Sequence, residues 1–320
     1  MAYDSLAFVF PGQGSQKIGM LAAAYALSAE VRATFQEASQ ALGYDVWALI
    51  AEGDQAELNL TENTQPVLLA SSVAIWRLWH ARGGESPAMM AGHSLGEFSA
   101  LTCAGSLEFA DALRLVRERG RLMQCAVPVG EGAMAAVLGV EDADIRRICE
   151  ETAAAHAQVV APVNFNAPGQ VVIAGHANAV EAAAESLKSA GAKRVIPLPV
   201  SAPFHTTLMQ PAGEKLAEIL ADMSITAPTI PVIHNVHAQS EKSPDRIREL
   251  LTTQIASPVM WTDCVRALVD SGMTQFAECG PGSVLCGLNR RIDKTIASFP
   301  LESTERIQSL IDKNNTHSGV

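Results

Sequence analysis

Apolar residues recur along the chain in two rhythms. Short unbroken apolar runs bounded by glycine or proline read as buried strands, and longer stretches with apolar positions every three or four residues read as helices. Leu6 to Phe10 is such a run, and Pro11-Gly12-Gln13-Gly14-Ser15-Gln16 turns out of it into helical sequence. The same strand, turn, helix unit returns from Pro87 through Met89, Met90 and Ala91 to Gly92, followed by a helix that Gly105 can cap. An α/β body is the expectation.

From about Gly132 the pattern changes. It predicts a strand over Ala133 to Leu138, a helix from the acidic start Glu141-Asp142 to His156, and strands over Val159 to Phe165 and Val171 to Ala174 around Pro168-Gly169. A helix from Ala179 to Ser189 and a strand from Arg194 to Val200 complete a β-α-β-β-α-β order, the split βαβ pattern of a ferredoxin-like insert. The chain then rejoins the main body, with a late strand over Gln275 to Glu278 before Cys279-Gly280-Pro281-Gly282. The expected division is a large α/β part over 1–127 and 202–312, a small part over 128–201, and a polar, frayed tail over 313–320.

Composition narrows the class. With 320 residues, 48% of them hydrophobic, the chain can bury a core without help from metal or disulfides. Its six cysteines form no CxxC pair, so neither a zinc site nor a disulfide framework is expected. The start of the chain has no basic segment ahead of its apolar run, and every apolar run is interrupted by Gly, Pro or charge before about 20 residues. No membrane partner and a cytoplasmic location are expected. A net charge of −11 argues against nucleic acid, and any acidic partner must find a local basic patch such as Lys193-Arg194 or Arg290-Arg291-Lys294.

Gly92-His93-Ser94-Leu95-Gly96 matches the G-x-S-x-G nucleophile elbow and lies where that motif needs to lie, between an apolar strand and a helix. The helix start would also stabilise an oxyanion, with the Leu95 N–H as the natural first donor. A serine needs a base, and of the eight histidines His317 lies in the tail, His80 and His156 in helical sequence, His176 at a turn and His93 beside Ser94 itself. His205, His234 and His237 remain, and spacing does not choose among them.

The helix over Glu108 to Cys125 carries Arg114, Arg117 and Arg121 on one polar face. Arg119 falls instead among Phe109, Ala112, Val116, Gly120 and Met123, at the centre of the apolar stripe. A guanidinium there needs an anion, supplied either by an internal Asp or Glu or by the carboxylate of a substrate.

At this point the chain resembles the bacterial malonyl-CoA:acyl carrier protein transacylases of type II fatty acid synthesis. The resemblance rests on Phe10 to Gln16, Gly92 to Glu97, Arg119 in RERGRLMQ, Asn164 to Gln170, Ser201 to His205, Gln254 before Ser257-Pro258, and Gly280 to Gly282. It implies an α/β-hydrolase-like large subdomain with an inserted ferredoxin-like small subdomain and a site between them. It further implies Ser94 as nucleophile, His205 as base and acid, the Gln13 and Leu95 N–H groups as oxyanion hole, and the Gln254 carbonyl as the group orienting the histidine. Arg119 would clamp the malonyl carboxylate, Asn164 and Asn166 would line the pocket, and Arg290 with Arg291 would dock the carrier protein. The implied cycle is ping-pong, from malonyl-CoA through a malonyl-serine ester to the phosphopantetheine thiol of acyl carrier protein, with no metal or other cofactor. Phe204 before His205 implies malonyl over methylmalonyl. The competing expectations are a polyketide-pathway or malonate-decarboxylase transferase, a serine hydrolase, and a carrier-binding subunit without chemistry.

Overall fold

The structure, a computed structural model, describes residues 3–200 and 202–317. Ser201 of the Ser201 to His205 motif and residues 318–320 of the expected tail lie outside the described residues. Strand β1 (Tyr3–Phe10) leads through α1 (Ala22–Leu27), α2 (Ala29–Leu42), α3 (Val46–Ala51), α4 (Gln55–Leu58) and α5 (Thr61–Ala81) to β2 (Pro87–Gly92), then α6 (Leu95–Cys103) and α7 (Phe109–Cys125). Next come β3 (Gly132–Leu138), α8 (Asp142–His156), β4 (Val160–Ala167), β5 (Gln170–His176), α9 (Ala177–Ser189) and β6 (Arg194–Pro197). The remainder holds α10 (Gln210–Ala221), β7 (Val232–Ile233), α11 (Pro244–Gln254), α12 (Trp261–Asp270), β8 (Gln275–Glu278), α13 (Val284–Ile292), β9 (Ala297–Pro300) and α14 (Thr304–His317).

Two separate sheets result. The first is parallel, in the order β7-β2-β1-β8-β9. Leu6 to Phe10 is buried without interruption because β1 is central and covered on both faces, which is why it reads as a continuous apolar run. The second sheet is antiparallel, β4-β5-β3-β6, and its chain order with α8 and α9 is the β-α-β-β-α-β order expected. Its strands alternate: Val171 and Ile173 of β5 pack with Ile145 and Leu187 into a local core, while Val172 and Ala174 join Met134 and Val163 in the main core. One face of the small sheet therefore covers its own helices and the other packs on the body.

Backbone bonds fix that docking, the Val259 N–H donating to Val163 O at 2.8 Å and the Phe165 N–H to Val259 O at 3.0 Å. Most boundaries lie within two residues of expectation, and two differences have a physical reason. Strand β6 stops at Pro197 rather than Val200, because Pro197 and Pro199 have no N–H to give a ladder. The chain is helical through His317, so α14 enters the stretch expected to be frayed; its buried Ile307, Leu310 and Ile311 anchor it to the main core. The short edge strands β7 and β9 had no clear signature in the sequence.

Candidate active site

Strand β2 ends at Gly92, and Ser94 adopts φ 51° and ψ −106° before α6 begins at Leu95. That backbone is strained for a residue with a side chain and persists because its neighbours over-determine it. The Ser94 N–H donates to Asn235 Oδ1 at 2.7 Å, and Ser94 O accepts from Gln254 Nε2 at 3.1 Å. Both flanking glycines are required by close approach: a Cβ on Gly92 would fall on the Gly96 backbone, and one on Gly96 on the Phe10 carbonyl. The serine thus stands at the carboxyl ends of β1 and β2, on the positive end of α6.

His205 answers the choice among three histidines. Its Nε2 lies 2.8 Å from Ser94 Oγ and its Nδ1 3.0 Å from Gln254 O. A carbonyl only accepts, so the ring proton sits on Nδ1 and Nε2 is free to accept from the serine hydroxyl. Burial, and then the positive charge of Arg119, lower the His205 pKa to about 3, so the ring is neutral at physiological pH. His234 is 2.7 Å from Glu97 Oε1, and His237 Nδ1 accepts the Gln239 N–H at 3.1 Å.

Arg119 is 1% exposed, as its place on the apolar stripe of α7 predicts, while Arg114, Arg117 and Arg121 are exposed. The approach of α7 to α5 that brings it inward depends on Gly120, whose Cβ would stand 2.5 Å from Thr61 O. Its Nη1 donates to Gln65 Oε1 at 2.8 Å; its Nη2 donates to Gln254 Oε1 at 2.9 Å and to Ser94 Oγ at 3.2 Å. The guanidinium lies 5.1 Å from the centre of the Phe98 ring. Among the described residues no carboxylate lies within 4 Å of it, and its buried Nε has no partner. Burial lowers its pKa to about 10, with the field of Glu97 opposing, so it remains a cation at neutral pH. The internal Asp or Glu weighed from the sequence does not touch it among the described residues: neutral amides hold the charge, and Glu97 reaches it only through the Gln254 amide.

Ser94, His205, Arg119 and Gln65 line a cavity of about 270 Å³. Gln13, Leu95, Asn164 and Phe204 line it too, and neither the Gln13 nor the Leu95 N–H has an acceptor among the described residues. Asn166 is a correction. It does not line the cavity; its Oδ1 is 2.7 Å from Nε2 of His93, which does line it. Arg290 and Arg291 sit in the last turn of α13, exposed and apart from the cavity lining, Arg290 Nη2 donating to Ser298 O at 3.2 Å and Arg291 to Gln170 Oε1. The sequence reading missed Gln65, the Gln254 side chain, Glu97 and Asn235. Glu97 was legible by the logic used for Arg119, being a charge between Leu95 and Phe98 in an apolar helix.

The chain is similar to known proteins over nearly its whole length. A profile of the acyl transferase domain matches residues 7–316. The malonyl CoA-acyl carrier protein transacylase of Escherichia coli (strain K12) is 54% identical over 306 residues, 96% of this chain and 98% of the relative. That of Bacillus subtilis (strain 168) is 45% identical over 317 residues, 98% of this chain and 99% of the relative. The solved malonyl CoA-acyl carrier protein transacylase from Coxiella burnetii superposes with TM-score 0.95 at 48% identity, covering 97% of this chain and 98% of its own. A malonyl-transacylase solved in complex with its type II PKS acyl-carrier protein gives TM-score 0.95 at 50% identity, covering 97% and 99%.

Proposed function

We propose a function that starts from the family: the chain belongs to the acyl transferase domain family and, within it, to the malonyl CoA-acyl carrier protein transacylases. It is an acyltransferase, and its substrate reading is the transfer of malonyl from coenzyme A to the phosphopantetheine thiol of an acyl carrier protein through an ester on Ser94. The observation that carries this reading is the buried, carboxylate-free Arg119 with Nη2 at 3.2 Å from Ser94 Oγ. An acyl group esterified there brings its far end within reach of a cation, and of the common short acyl groups only a dicarboxylic one has an anion to offer.

In the proposed cycle His205 Nε2 takes the Ser94 proton while Oγ attacks the thioester carbon. The oxyanion forms against the Gln13 and Leu95 N–H groups. Collapse breaks the carbon–sulfur bond, His205 returns the proton to the departing coenzyme A sulfur, and the carrier thiol repeats both steps in reverse. The Gln254 carbonyl does the orienting that a carboxylate does in other triads. The reading needs no metal and no cofactor beyond coenzyme A within the substrate, and it puts the enzyme in the cytoplasm. The four-stranded sheet with its two helices is read as a ferredoxin-like insert over 128–201 in an α/β-hydrolase-like body, with the cavity between the two.

Fatty acid synthesis is the expected pathway. The neighbour solved with a polyketide carrier favours a second acceptor on the same chemistry, and assays with both carrier types separate the two. Arg290 and Arg291 are the proposed docking cations; charge reversal there is expected to raise KM for the carrier alone. The function itself is tested by mixing enzyme with malonyl-CoA without carrier. One equivalent of coenzyme A released in a burst, absent in Ser94→Ala, supports the ester; a burst retained in that variant contradicts it.

A further inference from the structure

The buried polar residues that the cycle does not use gather behind Ser94. Glu97, one turn into α6, is fully buried, as are His234, Asn235 and Gln254. Glu97 Oε1 lies 2.7 Å from His234 Nδ1, and its Oε2 accepts the Asn235 N–H at 2.8 Å and Gln254 Nε2 at 2.9 Å. The other end of the Gln254 amide, Oε1, accepts Arg119 Nη2 at 2.9 Å.

Gln254 Nε2 also donates to Ser94 O at 3.1 Å, so this amide stands between two acceptors and a donor and has one workable orientation. Turned over, it would set its oxygen against a Glu97 oxygen already receiving the Asn235 N–H, and its NH2 against the guanidinium. Both contacts would be repulsive in a site without water to relieve them. Arg119 would then keep Gln65 alone of its two amide acceptors.

We propose that Glu97 is a positioning residue for acyl specificity: by accepting the Gln254 amide hydrogens it fixes the Gln254 oxygen on Arg119 and so holds the guanidinium where an acyl carboxylate meets it. The inference rests on Arg119 being the carboxylate clamp. It predicts a role different from general support of the fold: proton transfer uses the Gln254 carbonyl, and loss of the side-chain bond to Ser94 O affects both acyl groups alike, whereas loss of the link to Arg119 affects only the one with a carboxylate. A substitution at Glu97 then acts on which acyl group is accepted more than on transfer itself.

Glu97→Met keeps the length of the side chain but removes both acceptor oxygens, leaving Ser94 O as the remaining acceptor of the Gln254 amide hydrogens among the described residues. The measurement is kcat and KM for malonyl-CoA and for acetyl-CoA, with the Ser94 adduct confirmed by mass in wild type. The expected result is a malonyl kcat/KM that falls at least tenfold further than the acetyl value, with most of the difference in KM. Gln254→Leu retains the carbonyl that His205 uses, removes the amide, and is expected to show the same loss of malonyl preference. The double variant is expected to lose less than twofold more preference than the worse single. Equal losses on both acyl groups, or a double variant in which the two losses multiply, overturn the inference. If Glu97→Met does not fold, Glu97→Asp, which withdraws the carboxylate by one methylene, is measured in its place, and an unchanged malonyl preference there overturns the inference. A wild type without malonyl on Ser94 would strike the underlying reading instead, whereas a wild type that carries it beside a Glu97→Met enzyme of full malonyl preference strikes this inference only.

Discussion

Arg119→Ala separates the two things the arginine could be for. In the free protein the guanidinium is dehydrated, stacked near Phe98 and held by two amide oxygens at 2.8 and 2.9 Å, so it is ready for an anion without rearranging its surroundings. A malonyl carboxylate meeting it would make two charge-assisted hydrogen bonds, each contributing about 1.5–3 kcal/mol. Removing one partner of such a buried pair costs about 2–5 kcal/mol, much of it from leaving the other charge unpaired. At about 1.4 kcal/mol per factor of ten, malonyl kcat/KM is expected to fall by roughly two to three orders of magnitude. An acetyl group ends in a methyl that never used the cation, so its transfer is expected to hold or rise. Damage common to both substrates, such as the loss of a donor to Gln65 and Gln254, cancels in the ratio. The assay is carrier-independent acyl-enzyme formation with each coenzyme A ester. Equal losses on both would refute the clamp and make Arg119 a structural residue.

Four further outcomes follow from the same geometry. Burial and the Arg119 charge hold His205 neutral down to about pH 3, so the acid limb of malonyl kcat/KM, which reports the free enzyme, is expected well below 6.5; in Arg119→Ala with acetyl-CoA the limb is expected to move up, and a downward or absent shift contradicts the coupling. The same depression makes unfolding take up a proton, so this group's contribution to stability is present above pH about 6.5 and is lost as pH falls toward 3, measurable as a falling Tm. Gly120→Ala sets a Cβ 2.5 Å from Thr61 O and is expected to cost about 1–3 kcal/mol despite the helix propensity gained, with a raised KM for malonyl-CoA as α7 shifts; a higher Tm would contradict the close approach. Phe204 lines the cavity beside His205, and Phe204→Ser is expected to raise methylmalonyl turnover relative to malonyl, an unchanged ratio removing the ring from specificity.

Much of this was legible before any coordinates. Strand β8 falls on the predicted residues, and α7 begins one residue in, because each is a clean period bounded by turn residues. Arg119 was legible because one charge on an apolar stripe has few explanations. Glu97 carries the same signal more faintly, since the nine residues of α6 span few turns and show little periodicity. Gln65 was hidden for another reason: α5 is buried nearly all round, so no polar face exists against which a glutamine looks misplaced. The Gln254 and Asn235 side chains meet Ser94 from 160 and 141 residues away, and no local pattern encodes such a meeting. Asn166 illustrates the converse limit, since its motif located the strand but not which of two alternate residues would reach the cavity.

The central claim is that one hydroxyl carries the acyl group. Exposing the wild-type protein to malonyl-CoA without carrier and mapping its peptides by mass is expected to find a single malonyl adduct, on Ser94 and released by carrier thiol. An adduct on any other residue, or none, would contradict the account.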